Sequence, residues 1–146
     1  MQAPAEEVLA LMDSCVARFT QPYTEEAAPY LLERAQARMN TDQARNAMLD
    51  YDAYYNAVNG KVNDMFYYYR EQAALKAKQY QRALDDMAKA IELNPSFAEA
   101  YYNRGLVQIF LKDTRKGCLD MSKAGELGLQ DAYRVLKLYG NMLQEE

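Results

Sequence analysis

Residues Tyr80–Gly105 read YQRALDDMAKAIELNPSFAEAYYNRG, and their spacing decides the fold. Tyr80, Ala83, Leu84, Met87, Ala90 and Ile91 recur at helical period and form one apolar face. Asn94-Pro95 ends that face, because proline lacks the amide a continuing helix needs. Ser96 with Glu99 then has the spacing of a capping box, a hydroxyl and a carboxylate that can satisfy two free amides. A second face follows at Ala98, Tyr101, Tyr102, Gly105, Leu106 and Ile109. Two amphipathic helices joined by so short a break form a hairpin that cannot bury both faces alone. The hairpin therefore implies neighbours of its own kind.

Those neighbours are present. A small residue followed three positions later by Asp, then by a larger residue, occurs at Ala47–Tyr51, Ala83–Met87 and Gly117–Met121, with a fainter copy at Ala10–Ser14. The anchors Ala10, Ala47, Ala83 and Gly117 are separated by 37, 36 and 34 positions. Tyr30, Tyr67 and Tyr101 sit sixteen or seventeen residues before the last three anchors. Each unit reads as helix–turn–helix.

At these residues the chain resembles the tetratricopeptide-repeat (TPR) family. Residues 64–97 carry Tyr80, Ala83, Met87, Ala90 and Pro95 at that family's second-helix positions. In their first helix Tyr67 is present, but Arg70-Glu71 replaces a Leu-Gly pair and Ala74 replaces a Tyr. Residues 98–131 match with Tyr101, Gly105 and Ala124, and depart at Arg104, Gln108 and Gly117. Residues 28–63 are a degenerate copy through Tyr30, Ala47 and Tyr51, and residues 5–22 resemble a lone second helix. The resemblance implies an all-α, right-handed α-solenoid of antiparallel helix pairs in one domain, residues 1–146, with about eight helices. Residues 132–146 form its capping helix, carrying Met142 and ending in Gln144-Glu145-Glu146. Small residues at the anchors let paired helices approach closely. Further boundaries are expected at Thr41-Asp42, which opens a helix, at Asn59-Gly60 as a left-handed C-cap, and at Gly128.

Composition narrows the function. Half of the 146 residues are apolar, tyrosine occurs 13 times, and net charge is −4. Residues 1–60 hold 4 basic and 9 acidic groups, and residues 61–146 hold 13 and 12, so neither half is a basic platform for nucleic acid. No apolar run is long enough to insert in a membrane, and no signal peptide is read at the N-terminus, so the default expectation is cytoplasmic. The two cysteines give no disulfide framework. With no histidine there is no imidazole base or metal ligand, and phosphate-binding glycine motifs do not occur. No cofactor is implied and no enzyme is expected. Asp85-Asp86 diverge by about 100° on a helix and read as a solvated face. Cys118, just past a helix start where a thiol pKa can fall, reads as a small packed residue.

What remains is the concave groove that the resemblance implies, lined by the first helix of each unit. Carried across position by position, it consists of Met65, Tyr68, Tyr69 and Gln72, then Glu99, Tyr102, Asn103 and Leu106. Tyr68 and Tyr102 occupy equivalent positions 34 residues apart and are expected to stack along one surface. The other reading is that they cover helix eight or each other. One subtype of the family clamps acidic peptides with Lys, Arg and Asn. The corresponding residues here are Leu31, Ala35, Tyr69, Glu99 and Asn103, of which only Asn103 fits. The expectation is a scaffold that binds a neutral or basic peptide segment or a partner helix, with a structural spacer in a longer array as the alternative and an enzyme third. Val8, Leu9, Leu11, Met12 and Val16 on the lone first helix are expected to stay partly exposed and to support weak self-association or an upstream repeat.

Overall fold

The computed structural model describes residues 4–143. Its helices are α1 (Ala5–Val16), α2 (Ala28–Asn40), α3 (Ala44–Ala57), α4 (Asp64–Lys76), α5 (Tyr80–Leu93), α6 (Ala98–Phe110), α7 (Thr114–Glu126) and α8 (Asp131–Tyr139). Short 3-10 turns precede α2 at Glu25–Ala27 and follow α8 at Gly140–Leu143. Among the described residues there is no strand, and the expected all-α helical repeat is the fold. No helix is long and apolar enough to cross a membrane among those residues. The Met142 side chain and the polar end Gln144–Glu146 expected for the capping helix lie outside them.

The turns inside the helix pairs repeat as faithfully as the helices. Asp42, Lys78 and Lys112 each take a left-handed backbone, with φ of 57°, 59° and 71°. In each case the next amide reaches back to close the helix end: Gln43 N to Arg38 O at 2.7 Å, Gln79 N to Ala74 O at 2.8 Å, and Asp113 N to Gln108 O at 2.8 Å. These bonds satisfy carbonyls that a helix end would otherwise leave open. Asn59 and Gly60 are left-handed too, as their sequence implied.

Two expected caps are replaced by others. The Thr41-Asp42 start gives way to Gln43 at the cap of α3, because Asp42 is spent on the left-handed turn. The Ser96–Glu99 capping box does not form either. Asn94 Oδ1 accepts from the Ser96 amide at 3.2 Å, and α6 begins later, with Phe97 at its cap. A short asparagine side chain turns its own backbone before the serine can act. The same Asn94 donates through Nδ2 to Asp64 Oδ2 at 3.0 Å. Asn63 supplies the cap of α4, accepting from Phe66 N at 3.0 Å.

The chain divides into two compact units, Met1–Val62 with Gln72–Gln79, and Asn63–Glu71 with Tyr80–Glu146. In the first, α1 packs on α2 and α2 on α3 around Val16, Ala27, Ala28, Leu31 and Ala57. Val16 is thus core and not a partly exposed edge, whereas Leu11 stays 60% exposed. In the second, α5, α6, α7 and α8 pack in sequence, with Ile109, Met121, Ala124 and Ala132 at the centre of one cluster.

α6 and α7 pack tightly through two glycines. A methyl group built on Gly117 would lie 2.5 Å from Ile109 Cγ1 and 2.8 Å from the Gly105 carbonyl oxygen. Backbone cannot yield as a flexible side chain can. Gly117→Ala is therefore expected to destabilise the protein by about 1–3 kcal/mol through overpacking. An unchanged denaturant midpoint would show that the two helices separate freely.

Candidate peptide-binding groove

The groove residues of the second unit come from α4 and α6. Met65, Tyr69 and Leu106 are exposed to 37%, 43% and 39%, and Glu99 is exposed as well. Tyr68, Tyr102 and Asn103 are half-buried. Gln72, also half-buried, belongs to the first unit. Tyr67 is buried, its ring edge-on to Phe66 at 5.6 Å. Tyr68 leans on Phe97 at 5.1 Å and on Tyr69 at 5.9 Å. Tyr102 packs against the cluster of Ile109, Met121, Ala124 and Ala132, as do Val135, Leu136 and Tyr139 of α8. The two equivalent tyrosines thus have different surroundings.

On α4 is a residue that sequence reasoning passed over. Glu71 is fully buried. Its Oε2 accepts one long hydrogen bond, 3.4 Å, from Asn103 Nδ2, and its Oε1 has no partner. Burial raises its pKa to about 7; the Asn103 bond opposes the shift and the negative charge of Asp86 adds to it. Equivalent positions in the neighbouring repeats hold Ala35 and Gly105. That contrast was the available signal.

The second missed feature is a repeated ion pair. Arg34, Arg70 and Arg104 each grip the Asp sixteen residues later with two nitrogens. The bonds measure 3.0 and 2.8 Å to Asp50, 2.9 and 2.8 Å to Asp86, and 2.7 and 2.8 Å to Asp120. All three aspartates are buried, so Asp86 is not part of a solvated face; Asp85 is exposed and bonds Gln81 at 3.0 Å. Arg70 also lies 5.1 Å from the Phe66 ring centre, and Arg104 lies 5.8 Å from that of Tyr101. Bidentate geometry of this kind positions a helix pair as well as binding it. The hydrogen bond to Asp120 holds the Arg104 pKa above its usual value, against the pull of burial. In the first unit Arg38 joins Asp50 at 2.9 Å, and exposed Asp13 reaches Arg34 at 3.3 Å.

Elsewhere in the first unit is a cavity of about 550 Å³, walled in part by Arg34, Arg38, Asn46, Leu49 and Asp50. None of the eight groove residues lines it. Its arginines are neutralised by Asp50 and Asp13, so it offers no unbalanced charge. Cys118 is buried, and burial pushes its thiol up, the reverse of the activation its helix position allowed. Among the described residues no group of His, Cys, Asp and Glu could hold a metal ion.

Residues 72–109 match the family model described as TPR repeat. No curated protein matches the chain. Three solved structures show the same fold. MamA is 19% identical with a TM-score of 0.71, the match covering 93% of this chain and 81% of that one. The TPR domain of Arabidopsis OM64 is 22% identical with a TM-score of 0.67, covering 79% and 98%. The first TPR of Spaghetti (RPAP3), bound to the HSP90 peptide SRMEEVD, is 21% identical with a TM-score of 0.71, covering 86% and 99%.

Proposed function

We propose that this chain, a tetratricopeptide-repeat protein, is a non-enzymatic scaffold that holds a peptide segment or partner helix against α4 and α6. The observation that carries this reading is the exposure of Met65, Tyr69 and Leu106 on two helices tied to each other by the Glu71–Asn103 bond. Rigid rings with a polar tip, beside apolar side chains, suit an interface centre. Asn103 adds an amide able to bond an extended backbone.

The occupant we favour is neutral or basic. An acidic peptide such as the one bound to Spaghetti (RPAP3) would meet Glu99 at the rim. Two other positions of that clamp, Leu31 and Ala35, are apolar and fully buried and supply no cation. Opposed charges at a rim steer the encounter, and like charges deter it.

Truncating the groove tests the reading. Tyr69→Ala is expected to weaken peptide binding by about 1–3 kcal/mol while the melting temperature stays close to wild type. Tyr68→Ala is expected to weaken binding and also lower the melt, because its ring rests on Phe97 at 5.1 Å. Unchanged affinity in both variants would move the binding surface off α4.

A further inference from the structure

We propose that Glu71 is the specificity-determining acceptor for a lysine or arginine side chain of the bound peptide, an inference that rests on the groove reading above.

Three observations converge on it. First, packing does not ask for a carboxylate there. The repeats on either side place Ala35 and Gly105 at this position, and the Gly105 site shows why small residues fit: a methyl group would lie 2.9 Å from the Gly117 carbonyl oxygen. Second, the carboxylate is under-bonded. A buried carboxylate normally has several donors or a cation. Glu71 has one amide at 3.4 Å on Oε2 and none on Oε1. Third, the cations nearest in sequence are engaged elsewhere. Arg70 closes both ends of Asp86 and Arg104 both ends of Asp120, and no ion pair among the described residues reaches Glu71.

The surroundings suit a long cationic side chain. Tyr68 lies three residues before Glu71 on the same face of α4, and Leu106 lies three residues beyond Asn103 on α6. Such surfaces can cover the methylene stem, and a carboxylate supplies the counter-charge that the head needs once it leaves water. Asn103 is half-buried and can turn. Its carbonyl oxygen can accept from the incoming head while its amide donates to Glu71 Oε2. Exposed Glu99, one turn earlier on α6, draws the cation toward the site. The carboxyl pKa of about 7 fits a group that lacks its counter-ion and regains it on binding.

A displayed random-peptide library, panned against the full chain well above pH 7, gives the test. Wild type is expected to select peptides sharing one Lys or Arg at a fixed distance from apolar or aromatic residues. Glu71→Gln is expected to keep the apolar spacing and lose the cation. A synthetic peptide from the wild-type pool should bind Glu71→Gln about tenfold more weakly or worse, and its Lys→Met version should bind both proteins alike. Far-UV circular dichroism and the melt of Glu71→Gln confirm the fold. A wild-type consensus without a cation, or equal affinity of the cationic peptide for both proteins, overturns the role of Glu71 and leaves the groove standing. Binding that survives Tyr69→Ala and Leu106→Ala overturns the groove itself, and an empty selection overturns both.

Discussion

Asp50→Ala is expected to remove on the order of 3–5 kcal/mol of stability, because it leaves buried positive charge uncompensated. Asp50 is 2% exposed and binds two arginines, Arg34 at 3.0 and 2.8 Å and Arg38 at 2.9 Å. Alanine supplies no acceptor, and Arg34 and Arg38 would face each other with only exposed Asp13 to share. Arg38 Nε is already buried without a partner, so the site has no slack for a further loss. Asp13→Ala is the internal comparison. Its side chain is 52% exposed, its bonds are 3.3 and 3.8 Å, and its removal should change stability by less than about 1 kcal/mol. Urea titrations of both variants read the difference. Equal midpoints would mean that Asp50 is no more important to the fold than a surface charge.

The repeat architecture was legible because it rests on two strong local signals, helical period and punctuation. Asn59-Gly60 and Gly128 appear in the structure where their chemistry puts them. Lys78 and Lys112 do not announce a left-handed turn, and the equivalence of the three turns emerges from the backbone. The Ser96–Glu99 box failed because Asn94 competes for the same amides, a contest that spacing alone does not decide. Ion pairs were hidden for a different reason. The repeating Asp marks the register, and Arg70 and Arg104 depart from a family pattern, so neither by itself points to a partner. Read against each other, Arg34, Arg70 and Arg104 each stand sixteen residues before an anchor Asp. On a helix hairpin that separation is what lets two side chains meet. Of the candidate site, the exposed Met65, Tyr69 and Leu106 were reachable by position in the repeat. The differing surroundings of Tyr68 and Tyr102 were not, since they depend on Phe97 and on the cluster that α8 joins.

Glu71→Gln is expected to abolish a pH dependence of stability worth on the order of 3 kcal/mol. The folded-state pKa is about 7, against 4.5 for the unperturbed group. Between those values the folded protein holds a proton that the unfolded chain has released, so stability falls as pH rises through the window. Below about 4.5 both states are protonated and the penalty vanishes; above about 7 both are ionised and it is complete. Glutamine has no such proton. It does place an amide where Oε1 lacked a partner, and an unpaired buried amide costs about 1–3 kcal/mol. That cost is the same at every pH, so it cancels when the two proteins are compared across the window. The measurement is therefore the difference in unfolding free energy between wild type and Glu71→Gln, followed from pH 4.5 to above 7. It should grow steadily in favour of the variant. A constant difference would mean that Glu71 is hydrated in solution and titrates as an ordinary carboxylate. If the difference grows, the wild-type residue weakens the free protein at neutral pH. Its retention is then physically intelligible as a charge held ready for a cation, which returns the lost stability when the peptide binds.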